Sequence, residues 1–366
     1  MKQKFTHLHV HSHYSLLDGI IKIDDLVERA SKSGMHSIAL TDHGNMMGIM
    51  EFYTKAVKKG VKPIVGSEFY LAIGSRFDKI FSRGEKSNYH LLLLAKNNTG
   101  YKNLIKLSSY SFLEGFYRKP RIDKELLKEY SEGIIGLSAC LAGELSQLIL
   151  NQKFDEALVA AKDYTEIFGE GNFYLEVMDH LTEKTITHKG IKFSEQQFVN
   201  RGLLEIHKLT GIPLVASNDV HFINREDSLV HNVFLCIQTK TLLNEQSKMK
   251  SKSNEPYLKN AEEMRELFKD YPGAADNTHE IALKCNVSLG DKDKYIFPNF
   301  KIEKDISPDA YLRELVEQGI KRRYKDITES VRERVEEELA VIKEVKFARY
   351  FLIVWDFIRF ARNSNI

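Results

Sequence analysis

Cysteine is scarce in this chain of 366 residues. Only Cys140, Cys236 and Cys285 are present, and they lie far apart without a Cys-x-x-Cys pair. An odd number of dispersed cysteines does not make a disulfide framework, so the cysteine content favours a reducing compartment. We therefore expect a cytoplasmic protein.

Long apolar runs are also missing. The longest one near the end of the chain, residues 350–355, is interrupted by Asp356 and Arg359. Such a run is too short to cross a bilayer. The first four residues lead directly into a histidine-rich segment and do not resemble a secretory signal. The sequence therefore predicts no membrane association.

A strong excess of one charge is absent as well. The chain has 53 basic and 51 acidic residues, with a formal net charge of +2. Composition alone does not indicate a nucleic-acid binder, so any basic surface would be local. A hydrophobic share of 43% and a charged share of 28% indicate a soluble globular protein. Its length accommodates one large α/β barrel plus a small or partial second domain.

Short apolar runs alternate with amphipathic helical patterns over the first two-thirds of the chain. This alternation predicts either a βα barrel or a doubly wound sheet. The predicted strands are residues 6–10, 37–41, 63–67, 90–95, 134–138, 173–177 and 213–217. The predicted helices between them are residues 23–33, 46–59, 155–168 and 196–209.

The pattern changes around residues 240–260. Residues 246–254 are polar and basic and have no periodicity, which predicts an exposed loop or arm. A solvated loop and a nucleic-acid contact both remain open for this stretch. Helices are then predicted at 261–269 and 277–284, with two more after a turn-rich stretch. One of these carries Val331, Val335, Leu339 and Ile342 at helical spacing, which is typical of core.

The first predicted strand carries the clearest chemical signal. His9 and His11 share one face, because residues two apart on a strand point the same way, and Asp18 lies just beyond. Two imidazoles and a carboxylate suit a divalent cation such as zinc or manganese.

Further metal-competent side chains lie at later strand ends, where functional residues gather in βα architectures. These residues are Asp42, His43, Glu68, Cys140, Asp219 and His221, with His90 at the start of its run. Any one of them alone is typical of a structural residue. Together with the first strand, they make a coincidence at five strand ends, which favours a shared metal site.

Several motifs together resemble the PHP (polymerase and histidinol phosphatase) superfamily. They are His-x-His-Ser at 9–12, Thr-Asp-His-Gly at 41–44, Val-Gly-Ser-Glu at 65–68 and Asn-Asp-Val-His at 218–221. More narrowly, the chain resembles the N-terminal part of bacterial C-family replicative DNA polymerases. That resemblance rests on residues 8–12, 14–19, 62–66, 97–104, 119–123 and 347–354.

The resemblance implies an α/β fold, a PHP-type distorted seven-stranded βα barrel followed by a mainly helical C-terminal segment. It implies a PHP domain over 1–280, with a barrel core at about 1–235 and an exposed loop at about 240–258. Residues 281–366 would be a linker and the first helices of a truncated polymerase palm. The carboxylates that bind catalytic Mg²⁺ in such a palm are absent, so we expect this chain not to polymerise DNA alone.

The resemblance also implies up to three divalent metal ions, Zn²⁺ or Mn²⁺, held by nine ligands. These ligands are His9, His11, Asp18, His43, Glu68, His90, Cys140, Asp219 and His221. In this scheme His9, His11, Asp219 and Glu68 hold one ion, and Glu68 bridges to a second on His90 and Cys140. Asp18, His43 and His221 hold the third. Asp42 would orient a ligand, whereas His7 and His13 lie outside the set.

A multinuclear centre of this kind suits phosphodiester hydrolysis, because bound metal lowers the pKa of water and supplies hydroxide. The resemblance implies a 3′–5′ exonuclease with a proofreading role. Two alternatives remain: a PHP domain whose metals only support structure and partner binding, and a free-standing PHP phosphomonoesterase. The polymerase-like segment after residue 260 disfavours the second alternative.

Contacts to DNA are predicted in one segment. Arg118, Lys119 and Arg121 cluster beside Phe116 and Tyr117, a mixture compatible with phosphate binding and base stacking. A surface loop whose aromatic residues pack inward is equally compatible. Through the longer protein, the resemblance implies DNA and other replicase subunits as partners: a sliding clamp, a clamp loader and a separate proofreading subunit.

Overall fold

The computed structural model describes residues 4–82, 86–180, 184–188, 190–243, 253–290 and 297–366. The chain divides into two compact units, Met1–Leu289 and Gly290–Ile366. Residues 244–252 of the predicted exposed loop at 240–258 lie outside the described residues, so the conformation of that part stays a prediction.

The first unit mixes strands and helices. Its strands are β1 (Ser37–Leu40), β2 (Lys62–Ala72), β3 (Asn88–Ala95), β4 (Arg121–Ile122), β5 (Ile134–Leu137), β6 (Phe173–Val177), β7 (Thr185–His188), β8 (Ile191–Ser194) and β9 (Leu214–Ala216). Its helices are α1 (Ile23–Lys32), α2 (Ile49–Lys58), α3 (Asn98–Leu113), α4 (Lys124–Glu129), α5 (Glu144–Leu150), α6 (Phe154–Phe168), α7 (Glu195–Thr210), α8 (Ser228–Thr239), α9 (Ala261–Leu267) and α10 (Ala274–Lys284). A short 3₁₀ helix, Arg225–Asp227, precedes α8.

Side-chain caps fix several helix starts. Asn97 accepts a hydrogen bond from the Gly100 N–H at the start of α3, and Asp123 does the same for α4 with Leu126. Ser194 forms a capping box with Gln197 at the start of α7. Each cap satisfies backbone donors that have no partner within the helix, so local sequence determines where these helices begin.

Seven of the strands form one sheet in the order β1-β2-β3-β5-β6-β9, with β4 paired to β2. Strand β3 runs antiparallel to β2 and β5, and the other pairs are parallel. The N-terminal segment lies between the two ends of this sheet: Ala39 N–H donates to the His7 carbonyl, and Val220 N–H donates to the His9 carbonyl. The sheet is therefore curled, as the predicted distorted barrel requires.

Alternate residues of the strands fill the two sides of the curled sheet, as the pleat demands. Ala39, Ile64, Leu92 and Val215 belong to one buried cluster that also contains Ile281, Ala282 and Cys285 from α10 and the residue after it. The neighbouring strand positions Ile38 and Leu40 belong instead to the larger cluster formed with the surrounding helices. Helix α10 thus packs against the residues enclosed by the sheet.

The predicted strand at 6–10 is not a regular strand. Only Val10 forms a bridge there, with Val220. The reason is local, because Thr6 N–H donates to the Thr278 hydroxyl and Val10 N–H donates to the Thr41 hydroxyl instead of to backbone carbonyls. Strand β2 also extends beyond its predicted end, so Glu68 lies within a strand.

The second unit is helical, as predicted. It contains α11 (Pro308–Arg323), α12 (Glu329–Glu344) and α13 (Ala348–Asn363). A small core of Leu312, Ala348 and Leu352 holds them, and Leu339 and Ile342 pack against it. In the described part of the chain, no helix is both long and apolar enough to span a membrane.

Candidate metal centre

All nine predicted ligands lie together at one end of the barrel. The segment before α1 contributes three of them, and the loop after β1, strands β2 and β3, and the loops after β5 and β9 contribute the rest. His90 lies near the start of β3 yet belongs to this end because β3 runs antiparallel to β2. The unusual position of His90 in its run, seen in the sequence, follows from that direction.

His9 and His11 face the same pair of carboxylates. Their Nε2 atoms lie 3.2 and 3.1 Å from Asp219 Oδ1. The same atoms lie 3.4 and 3.8 Å from the two carboxylate oxygens of Glu68. Both imidazoles are fully buried. The two histidines therefore share a buried, negatively charged environment.

Glu68 occupies the middle of the cluster. Its Oε2 atom lies 2.6 Å from His43 Nδ1, and its Oε1 atom lies 3.0 Å from His90 Nδ1. The Cys140 thiol is 3.8 Å from both Glu68 Oε1 and His90 Nδ1. A single carboxylate thus connects the histidines of the first segment to His90 and Cys140.

Asp18 forms a second edge with three imidazoles. Its Oδ2 atom is 3.2 Å from His43 Nε2, and its Oδ1 atom is 3.6 Å from His221 Nε2. His231 Nε2, on α8, lies 3.3 Å from the same Oδ1 atom. Sequence reasoning missed His231, because it sits within a mostly apolar helix, outside every matched motif.

Further side chains hold the imidazoles from behind. Glu176 Oε1 lies 2.9 Å from His9 Nδ1, and the Ser15 hydroxyl lies 2.9 Å from His11 Nδ1. Ser15 in turn donates to Asp42, 2.7 Å away. Asp42 therefore reaches a ligand only through Ser15. Glu176 was not predicted, although a carboxylate in the buried apolar strand β6 was a usable signal.

His7 and His13 remain outside the cluster, in agreement with their exclusion from the ligand set. His7 Nε2 lies 2.8 Å from the Lys259 carbonyl oxygen. His13 is exposed, and its Nδ1 atom lies 3.2 Å from the Ile21 carbonyl oxygen. Strand parity alone could not separate these two histidines from His9 and His11.

The carboxylates of the cluster favour their charged form. Burial would raise the pKa of Glu68, but the charges of His90, His9 and His43 outweigh it and hold that pKa well below its usual value. The same balance of burial against neighbouring imidazoles lowers the pKa of Asp219. Ionised carboxylates enclosed in protein require compensating positive charge.

Two other donors, His11 and Cys140, are neutral when only protons supply that charge. Burial, together with the charges of His43 and His221, lowers the pKa of His11 to about 3. Burial raises the pKa of the Cys140 thiol, and the carboxylates of Glu68 and Asp219 add to the rise. A coordinated cation reverses this effect on a thiol and deprotonates it.

Unpartnered polar atoms show that the cluster suits metal ions. Five buried atoms of the predicted ligands have no partner in hydrogen-bonding geometry among the described residues: His9 Nε2, His11 Nε2, His43 Nδ1, Glu68 Oε2 and Asp219 Oδ1. Three triads have donor atoms within 4.8 Å of one another: His9/His11/Asp219, His43/Glu68/His90 and His11/His43/His221. Nitrogen, oxygen and sulfur donors at this spacing fit zinc or manganese.

The predicted DNA-contacting residues separate into two groups. The prediction is wrong for Arg121, which is fully buried and donates to the carbonyls of Gly115, Ser87, Arg76 and Asp78. A guanidinium that satisfies four backbone acceptors is structural.

Arg118 and Lys119 are exposed, unlike Arg121. Lys119 Nζ lies 5.2 Å from the centre of the Tyr70 ring, and that ring is 5.2 Å from His90. Lys119 is therefore placed at the edge of the cluster.

Both units of the chain are similar to known protein families. Residues 7–180 match the family described as PHP domain, and residues 310–366 match the bacterial DNA polymerase III alpha NTPase domain. The DNA polymerase III subunit alpha of Borreliella burgdorferi is 45% identical over 366 residues, covering 100% of this chain and 31% of that protein. The DNA polymerase III subunit alpha of Treponema pallidum is 42% identical over 366 residues, covering 100% of this chain and 30% of that protein. The chain thus spans roughly a third of the length of these curated relatives.

Among solved structures, the chain resembles a two-domain protein from Bacteroides vulgatus described as containing a predicted PHP-like metal-dependent phosphoesterase. The TM-score is 0.35 and the identity 16%, covering 60% of this chain and 52% of the other. A likeness of this extent supports no inference about function.

Proposed function

The chain belongs to the bacterial DNA polymerase III alpha family and carries its PHP domain, and from this premise we propose that the barrel hydrolyses phosphodiester bonds. The substrate is DNA, and the reaction is the metal-dependent removal of nucleotides from a 3′ end. With this activity, the PHP domain would act as a proofreading exonuclease. The observation that carries the proposal is the group of unpartnered donor atoms described above.

We assign the nine predicted residues as ligands of up to three divalent ions, Zn²⁺ or Mn²⁺. His9, His11 and Asp219 form the first group, and Glu68 connects it to His90 and Cys140. His43 and His221, with Asp18, form the third. When bound, the ions would lower the pKa of a water molecule and stabilise the attacking and leaving oxygens at phosphorus.

The surrounding residues would orient and balance this centre. Glu176 and Ser15 fix the rings of His9 and His11, so that each Nε2 lone pair is directed into the cluster. Lys119 and Arg118 would bind phosphate oxygens of the substrate beside the centre, because both cations are exposed near its edge.

The longer protein would be a replicative DNA polymerase of the bacterial cytoplasm. We propose that it acts with a sliding clamp, a clamp loader and a separate proofreading subunit. In this chain, we assign residues 1–280 to the PHP domain and 281–366 to a linker and the first helices of the palm. Mg²⁺ for DNA synthesis would bind to palm carboxylates outside this chain.

Complete burial of His9 and His11 favours a second candidate, a metal centre that only stabilises the barrel and its partner surfaces. Structural metal sites are closed by protein ligands, whereas catalytic sites keep a position open. Cleavage separates the two candidates directly.

The test uses a single-stranded oligonucleotide labelled at its 5′ end and protein reconstituted with zinc or manganese. We expect a ladder of products shortened from the 3′ end, and no products from Asp18→Asn or Asp219→Asn. Asp155→Asn, an exposed carboxylate on α6, serves as the matched control and should cleave normally. Absence of cleavage by fully metal-loaded wild-type protein would refute the nuclease and favour the structural candidate.

A further inference from the structure

The C-terminal end of α3, the loop after it and the loop between β2 and β3 carry aromatic rings that the mechanism above does not use. Phe112 and Phe116 are 43% and 50% exposed, and their stacked rings lie 6.2 Å apart. The ring of Phe81, from the loop between β2 and β3, lies 5.4 Å from the ring of Tyr117, and both residues are half-buried. Clustered exposed aromatic residues of this kind mark a binding surface more often than isolated ones do.

Arg121 holds the rings of Phe81 and Tyr117 in place. Its buried guanidinium bonds to carbonyls on both loops, from Arg76 and Asp78 on one and from Gly115 on the other. It also lies 5.6 Å from the ring centre of Phe81 and 5.3 Å from that of Tyr117. The rings are therefore positioned before any ligand arrives, which lowers the entropic cost of binding.

Two cations accompany the rings. Arg118 lies 5.1 Å from the Tyr117 ring centre, and Lys119 lies next to it in the chain. Neither forms an ion pair with a carboxylate among the described residues, whereas Arg76 on the other loop is paired with Glu114 and Asp123. Arg118 and Lys119 thus remain available for an anionic ligand.

The rings and cations connect to the metal centre through Tyr70. Lys119 Nζ lies 5.2 Å from the Tyr70 ring, which in turn lies 5.2 Å from the His90 ring and 6.1 Å from the His43 ring. Lys119 and Tyr70 therefore connect the segment that carries Phe116 and Tyr117 to the ligands.

We propose that Phe81, Phe112, Phe116, Tyr117, Arg118 and Lys119 form an aromatic strip that binds an unpaired nucleic-acid strand and leads its 3′ end to Tyr70 and the metal centre. Bases stack on exposed rings without regard to sequence, and interleaved cations bind the backbone. A duplex hides the faces of its bases, so the strip selects single strands. This inference deepens the proposed function and rests on it only for the position of the cleaved bond.

A protein partner is the competing occupant of the strip. Interfaces between proteins also use aromatic residues, but they are depleted in lysine. The unpaired cations beside a centre suited to phosphate chemistry favour a polyanion. The experiment below distinguishes the two.

The test measures binding of a fluorescein-labelled oligothymidylate of about 12 nucleotides by anisotropy, with a chelator present so that the strand stays intact. Phe116→Leu keeps apolar volume but lacks a π-face, and we expect it to weaken binding roughly tenfold, with Phe81→Leu adding to the effect. Arg118→Ala should reduce the salt dependence of log Kd by about one unit. A labelled duplex should bind more weakly than the single strand.

Phe193→Leu is the matched control, since Phe193 on β8 is likewise half-buried and lies under a guanidinium, that of Arg201. It should leave affinity unchanged. Equal affinities for wild type, Phe116→Leu and Phe81→Leu would overturn the strip and assign these rings to a protein contact. Normal binding without metal-dependent cleavage would instead keep the strip and refute only the hydrolysis.

Discussion

The central imidazoles are constrained on both ring nitrogens. His9 has Glu176 on Nδ1 and Asp219 near Nε2, and His11 has Ser15 on Nδ1 and Asp219 near Nε2. Glu176 and Ser15 keep the proton on Nδ1, so a metal ion would take the place of any proton on Nε2. The ligand types were predictable from the sequence motifs. Their partners were less so, because Glu176 and Ser15 belong to no ligand pattern.

Replacement of Glu176 tests this arrangement. In Glu176→Gln, the acceptor for His9 weakens, so we expect zinc affinity to fall by about 10- to 100-fold, as is typical for such partners. A competition titration with a chromophoric chelator measures it. Glu170→Gln, an exposed residue of the loop before β6, is the control. Equal zinc affinities in the two variants would show that His9 needs no such support.

The buried thiol of Cys285 should make the stability of the protein depend on pH. Burial raises the pKa of this thiol from 9.0 to about 12. The unfolded chain therefore loses this proton at lower pH than the native protein, so the stabilisation is complete below pH 9 and is lost as the pH rises towards 12. We expect the free energy of unfolding to fall by about 1.4 kcal/mol between pH 8 and pH 10 in the wild type, and this fall should be missing in Cys285→Ala. Urea unfolding at pH 8 and pH 10 measures this change. If the free energy of unfolding changes equally with pH in the wild type and in Cys285→Ala, the assignment is contradicted.

Elements from α1 to β9 largely follow the sequence pattern. The predicted strand at 173–177 coincides with β6, and those at 37–41 and 134–138 end one residue beyond β1 and β5. The pattern failed for the segment at 6–10, where side-chain hydroxyls replace backbone acceptors. It also could not give the direction of β3, because hydrophobic periodicity is the same in parallel and antiparallel strands.

Arg121 links the β2–β3 loop to the α3–β4 loop, so its replacement should destabilise both. In Arg121→Lys, a single ammonium cannot reach four carbonyls on the β2–β3 and α3–β4 loops, so buried acceptors lose their partners. We expect the free energy of unfolding to fall by about 2 to 3 kcal/mol. Denaturant unfolding measures it, with the exposed Arg118→Lys as the comparison. If both variants unfold like wild type, Arg121 does not hold the loops.

At the scale of the whole molecule, the candidate centre gathers side chains from residue 9 to residue 231 of one unit. The N-terminal segment and the chain after β9 meet there through hydrogen bonds between Val220 and both His9 and His11. Bound metal would therefore hold the two ends of the curled sheet together, since ligands that bind only the native state stabilise it. The helical unit contributes none of the assigned ligands.

Hydrogen exchange with and without chelator tests this coupling. We expect residues 5–12 and 214–222 to lose protection when metal is removed, because they carry His9, His11, Asp219 and His221. Residues 329–344 of the helical unit should exchange at the same rate in both conditions. Uniform changes across both units, or none in the barrel, would contradict a metal effect centred on the barrel end.

The most direct test of the central claim is the metal content of the purified chain after reconstitution and gel filtration, by mass spectrometry of the elements. We expect more than one and up to three equivalents of zinc or manganese per chain. We also expect a marked loss in Glu68→Ala, because this carboxylate lies at the middle of the cluster. Fewer than one equivalent in the folded wild type, or an unchanged content in Glu68→Ala, would contradict it.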